Sequence, residues 1–85
     1  MSFVGRLVVS TAGHDKGCIL CVLEEQGEYL LLADGKQRKV QKPKRKKLKH
    51  IVLFEDAAIY SGPMTNKAIH AFIRDTVNAS GQSCD

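Results

Sequence analysis

The chain has 85 residues, 44% apolar and 26% charged; that length supports one small domain with one hydrophobic core, and that composition excludes wholesale disorder. No stretch approaches the ~20 apolar residues of a membrane span, and the amino-terminal MSFVGRLVVSTAGH lacks the basic-then-apolar pattern of a secretion signal, so a soluble, cytoplasmic protein is expected. The formal net charge of +4 conceals a segregation: KQRKVQKPKRKKLKH, residues 36 to 50, holds nine of the thirteen Lys and Arg residues and no carboxylate, whereas the remainder carries four basic and nine acidic residues.

In chain order, Val4 to Val9 is a β-rich run, with Leu7 and Val9 on one face and Arg6 and Val8 on the other, which predicts a first strand. STAGHDKG, residues 10 to 17, is a polar turn with two glycines suited to positive φ. CILCVLEE, residues 18 to 25, is apolar on both faces until its glutamates and predicts a second strand; Gln26-Gly27 makes a hairpin turn into a third, EYLLLA, at 28 to 33. Asp34-Gly35 is the strongest reversal signal in the chain. Gln37 to Gln41 is expected to pair back as a short strand, Pro43 to interrupt the ladder, and Lys47 to Phe54 to form the fifth strand.

Five short strands joined by tight turns predict closure into a small barrel. Beyond Phe54 the periodicity changes. Thr65 is placed to cap a helix from about Asn66 to Asn78, with Ala68, Ile69, Phe72, Ile73 and Val77 on one stripe and Lys67, His70, Arg74 and Asp75 on the other face. Gly81 is expected to end it. The chain thus divides into a barrel over residues 1–55 with a basic loop at 36–50, a connector and helix over 56–80 packed on the barrel, and a frayed tail at 81–85.

The basic stretch calls for a polyanionic partner, and nucleic acid, anionic membrane or an acidic protein surface would each serve; a solvated loop or a sorting signal is the plainer alternative. Lys42, Lys44, Arg45, Lys46 and Lys47 are expected in a mobile loop before the fifth strand. Lys36, Arg38, Lys39 and Lys49 would extend the patch along flanking strands whose opposite face carries Val40 and Leu48 as core. Such side chains bind phosphates with little regard to sequence. The chain has no Trp, and Phe3, Phe54, Tyr60 and Phe72 occupy core-like positions, so Tyr29 and His50 are the candidates for base stacking.

Cys18, Cys21 and Cys84 are an odd number and are expected as thiols in a reducing compartment. The Cys18–Cys21 spacing lies in a strand-like run, where residues three apart face opposite ways, and neither Cys84 nor His14, His50 and His70 supplies ligand spacing; no metal, redox site or cofactor is expected. Ser10, Thr11, His14 and Asp15 sit close in one turn, but nothing provides an oriented base or an oxyanion site, and neighbouring Glu24 and Glu25 face opposite ways. No enzymatic activity is expected.

The segment GRLVVSTAGHDKGCILCVLEE, with a hydrophobic strand, a G-x-x-x-G turn at Gly13 and Gly17 enclosing a basic residue, and a second hydrophobic strand, resembles a KOW motif. The continuation ADGKQRKVQKPKRKKLKHI resembles the KOW-bearing archaeal and eukaryotic large-subunit ribosomal proteins and the small bacterial RNA-binding proteins similar to them, over roughly residues 3 to 54. That resemblance implies a mainly β, Src-homology-3-like (KOW-type) five-stranded barrel followed by one C-terminal α-helix. It implies an RNA-binding accessory protein of the ribosome or translation apparatus, with ribosomal RNA and ribosomal proteins as partners and no membrane. The KOW turn would be Gly13, His14, Asp15, Lys16 and Gly17, with Lys16 joining the basic stretch and His50 on RNA; Cys18 stands where the family commonly carries a basic residue. KOW domains also serve as protein-binding modules, so docking on an acidic protein surface is the alternative.

Overall fold

The computed structural model describes residues 3–54 and 58–80, apart from the side chains of residues 79 and 80. Five antiparallel strands, β1 Leu7–Ser10, β2 Ile19–Gln26, β3 Tyr29–Ala33, β4 Lys44–Lys47 and β5 Ile51–Leu53, lie in the order β4-β3-β2-β1-β5, and the helix α1 Asn66–Ser80 follows. The two central residues of β1 are opposed on either side: Val8 faces Leu20 on β2 and Leu53 on β5, and Val9 faces Ile19 and Val52. Opposed residues share a face. One face therefore gathers Val8, Leu20, Val22, Leu30 and Leu32, joined by Phe3, Leu48, Ile51 and Leu53.

The other face gathers Leu7, Ile19 and Cys21 with Phe54 and the helix residues Ile69 and Ile73, flanked by Phe72 and Val77. Burial on both faces explains why Ile19-Leu20-Cys21-Val22 is apolar without alternation, and it turns the single expected core into two clusters separated by the sheet. The predicted helical stripe packs as expected. Thr65 caps α1, its Oγ1 accepting from Ala68 N at 3.3 Å and its carbonyl from Ile69 N at 3.0 Å. The connector is tied to the amino-terminal segment by Tyr60 N, which donates to Gly5 O at 2.7 Å, and by the Tyr60 ring on Phe72 at 5.0 Å between centroids.

Several expectations are corrected. The sheet is open: β4 and β5 are its edges, and a 3-10 turn at Leu48–His50 carries the chain between them in place of the first half of a long fifth strand. Leu48 N donates to Glu28 O at 2.9 Å, which ends the β3–β4 ladder and frees the chain to turn. Residues 37 to 41 form no strand, because their donors go elsewhere. Asp34 Oδ1 accepts from Lys36 N at 2.9 Å and Arg38 N at 2.8 Å, and Asn66 Oδ1 accepts from Val40 N at 2.7 Å. Pro43 precedes β4 rather than interrupting a ladder, a position where a missing N–H costs nothing, so Lys44–Lys47 is a strand and not a mobile loop. The first strand starts at Leu7 rather than Val4, since Arg6 N bonds back to Phe3 O at 2.9 Å in a turn.

Cys21 is a buried thiol, and burial pushes its pKa up to about 11. Cys18, half-buried just ahead of β2, is disulfide-bonded rather than the expected thiol. Cys84, Gly81 and the expected frayed tail lie outside the described residues.

Two predictions come from this architecture. Gly35 has φ +78°, and a Cβ there would lie 2.1 Å from the Asn66 carbonyl at the start of α1, whereas Gly17, at φ +88°, has open space around it. Gly35→Ala should therefore cost clearly more than the ~1–2 kcal/mol of left-handed strain expected for Gly17→Ala, as measured by urea unfolding; equal losses would refute the close approach. Iodoacetamide should label Cys21 in denatured but not native protein, read by mass spectrometry, because a buried thiol with its pKa near 11 offers almost no thiolate at neutral pH.

Candidate nucleic-acid interface

The nine cations of residues 36 to 50 divide according to the strand that carries them. On β4 the register sets Lys44 opposite Leu32, Arg45 opposite Leu31, Lys46 opposite Leu30 and Lys47 opposite Tyr29. Leu30 and Leu32 belong to the cluster on the face away from the helix, so Lys44 and Lys46 project to that inner side while Arg45 and Lys47 project outward.

Lys46 is only 8% exposed. Its Nζ crosses the inner side to the β1–β2 loop and donates to Ser10 Oγ at 2.8 Å, Ala12 O at 2.6 Å and Asp15 Oδ1 at 2.7 Å. An ammonium has three N–H donors, and all are used. Ser10, 1% exposed, offers its own hydroxyl hydrogen to Ala12 O at 3.0 Å and Asp15 Oδ1 at 3.1 Å. Lys46 is thus removed from the expected set of contact residues: a charge this buried is held by partners and has no surface to give a ligand. Burial pulls the Asp15 carboxyl upward, but hydrogen bonds from Lys46 and Ser10, the Lys46 charge and a backbone bond together outweigh it and hold the carboxyl below its ordinary 3.8.

The loop that Lys46 grips is the G-x-x-x-G turn. Gly13 and Gly17 both have positive φ, at 84° and 88°. Gly17 N donates to Ser10 O at 2.8 Å and Cys18 N to Asp15 O at 2.9 Å. These bonds close the loop and leave His14 and Lys16 exposed on it. The 3-10 turn lies alongside, with Thr11 N donating to His50 O at 2.9 Å, so Lys49, exposed, and His50, half-buried, come next to the loop bearing Lys16.

Of the other cations, Lys36, Lys39, Lys42, Arg45 and Lys49 are exposed and Arg38, Lys44 and Lys47 half-buried. None of these eight is in a salt bridge among the described residues, where the ion pairs are Lys46–Asp15 and the exposed, adjacent Arg74–Asp75. On the outer face Arg45 lies over the Tyr29 ring at 4.4 Å from its centroid, with Lys47 at 5.7 Å. Lys36 is separate: it lines a cavity of about 260 Å³ beside α1 with His70 and Arg74. The expected single patch is therefore spread over β4's two sides, the Asp34 turn and the 3-10 turn.

Ser10 and the Ala12 carbonyl were not among the expected site residues, and Asp15 was expected only as a turn residue. The sequence signal for them is slight: one Ser three residues ahead of the first glycine, one Asp between the two glycines, and a lysine at an inward position once residues 44 to 47 are read as a strand. Among the described residues no group of three or more His, Cys, Asp or Glu side chains is placed to hold a metal ion. No helix among them is long and apolar enough to cross a membrane. No protein-family model and no curated protein matches the chain.

Asp15→Asn should remove about 3 kcal/mol of stability at neutral pH, by leaving a buried ammonium without its counter-charge. Because the folded carboxyl lies below 3.8, its contribution is complete above that value and is lost as pH falls through the depressed one. The gap between wild type and Asp15→Asn in urea-unfolding free energy should be constant from neutral pH to about pH 5 and shrink below about pH 4; a gap independent of pH would refute the role of the ion pair.

Proposed function

We propose that the chain is a KOW-type, RNA-binding accessory protein of the ribosome or translation apparatus that contacts structured RNA through its phosphates and performs no catalysis. The observation that carries this reading is that, among the described residues, eight cations in a stretch of fifteen are held on folded backbone without a carboxylate partner. Such concentrated repulsion is relieved when phosphates take the place of counterions. Because β4 and the turns around it are ordered by backbone and side-chain hydrogen bonds, little conformational freedom remains to be lost on binding.

Two features support the KOW-type, Src-homology-3-like assignment. The strand order β4-β3-β2-β1-β5 with a 3-10 turn linking the two edges is compatible with that architecture. Both glycines of the G-x-x-x-G turn take the left-handed conformation such a turn requires, which presents Lys16 to solvent. The contact set proposed is Lys16, Lys39, Lys42, Arg45, Lys47, Lys49 and His50, with Lys36, Arg38 and Lys44 at its margins.

The test is binding to ribosomal RNA across a salt series, for the native protein and for a variant with Lys42, Lys44, Arg45 and Lys47 changed to Gln and Lys46 retained, since Lys46 holds the fold. Each lost phosphate contact should lower the slope of log K against log salt by roughly 0.7–0.9, so the variant should lose about two to four units. Weak, salt-indifferent binding unchanged in the variant would overturn the reading. Polyglutamate that competes as well as RNA would assign the surface to an acidic protein instead.

A further inference from the structure

The outer face of β3 and β4 carries a feature that phosphate contact alone does not require, an aromatic ring beneath two of the cations. Tyr29, Leu31, Arg45 and Lys47 share this face by register, and α1 covers its other end, over Ile19 and Cys21. The Arg45 guanidinium lies 4.4 Å from the Tyr29 ring centroid and the Lys47 ammonium 5.7 Å away, with Arg45 exposed and Tyr29 and Leu31 half-buried. A planar cation resting on an aromatic ring is a surface on which a nucleobase stacks, and both groups stack on bases in their own right.

We propose that this surface takes one unpaired base of the bound RNA, stacked on the Arg45–Tyr29 pair, with a neighbouring phosphate on Lys47; the proposal rests on the RNA reading above and adds what feature of the RNA is recognised. A single base fits because one aromatic ring is present and Leu31 is its neighbour. It must be unpaired, since in a continuous helix both faces of each base are covered by its stack. Charge sets the side on which the phosphate lies. Glu24 on β2 opposes Leu31 in the row that ends at Arg45, so a carboxylate borders the face on the β2 side. Phosphates are repelled there and drawn to the β4 side, where Lys47 stands opposite Tyr29. Glu24 is itself held by Gln26 Nε2 at 3.0 Å and is not paired with Arg45.

The test uses two labelled RNA hairpins of equal stem length, one fully paired and one with a single bulged adenosine, titrated at low salt with the full chain and with Tyr29→Leu and Tyr29→Phe. Leucine retains most of the apolar contact and removes the ring; circular dichroism checks that both variants fold. The native protein should prefer the bulged hairpin by roughly 5- to 100-fold, the range that stacking one base on an aromatic side chain provides. Tyr29→Leu should abolish that preference while binding the paired hairpin as before, and Tyr29→Phe should keep it. A native protein that binds both hairpins equally, or a Tyr29→Leu variant that retains the preference, overturns the inference and leaves the RNA reading standing. Binding to neither hairpin overturns both.

Discussion

The open sheet depends on one buried ammonium. No ladder joins β4 to β5, so the inner side of the sheet is bounded by side chains alone: Leu48, Ile51 and Leu53 from the returning chain, and Lys46 at the loop end. Lys46 starts on one edge strand and ends on Ser10, Ala12 and Asp15, at the far side of β3 and β2. Removing a cation from water is unfavourable unless every donor is satisfied, and here the serine hydroxyl, a carbonyl and a carboxylate satisfy all three. The same contact gives the β1–β2 loop its shape, because Asp15 must turn inward while Lys16 turns out.

That one inward lysine decides what its neighbours do. Strand alternation permits no other outcome: with Lys46 committed to the inner side, Arg45 and Lys47 face outward beside Tyr29. A strand of four consecutive cations thereby serves two ends at once, holding the fold on one side and carrying free charge on the other. Lysine and arginine along an exposed edge also discourage pairing with the edge of another sheet, a hazard that an open five-stranded sheet otherwise presents. On the remaining surfaces, α1 covers the β1–β2 end of one face, and the returning chain covers the inner cluster. The outer side of β3 and β4 and the adjoining turns are covered by neither.

The second junction is made by backbone rather than charge. The start of α1 rests on the Asp34-Gly35 turn so closely that only a glycine fits, and Asn66 there bonds Val40 N and the Gln41 side chain. Helix, turn and basic segment are thus fastened at one point, which is why residues 37 to 42 are ordered without belonging to the sheet. Lys36, Arg38, Lys39 and Lys42 are displayed from this fastened frame.

Much of the local structure was legible in the chain itself. Leu7 and Val9 alternate against Val8, Thr65 caps a stripe through Ile69 and Ile73, and Asp34-Gly35 reverses the chain, because each of these is decided by residues within one or two turns of one another. So was the segregation of charge into residues 36 to 50. What tertiary structure decided was the role of each charge. Pro43 reads as an interruption until β3 is seen to pair just after it, and Lys46 reads like Lys44 or Lys47 until Ser10 and Asp15, more than thirty residues away, are found around its nitrogen. Side-chain chemistry is written locally, but whether a lysine is a contact or a fastening depends on which acceptors the fold brings within 3 Å, and that is settled only when distant strands share a sheet.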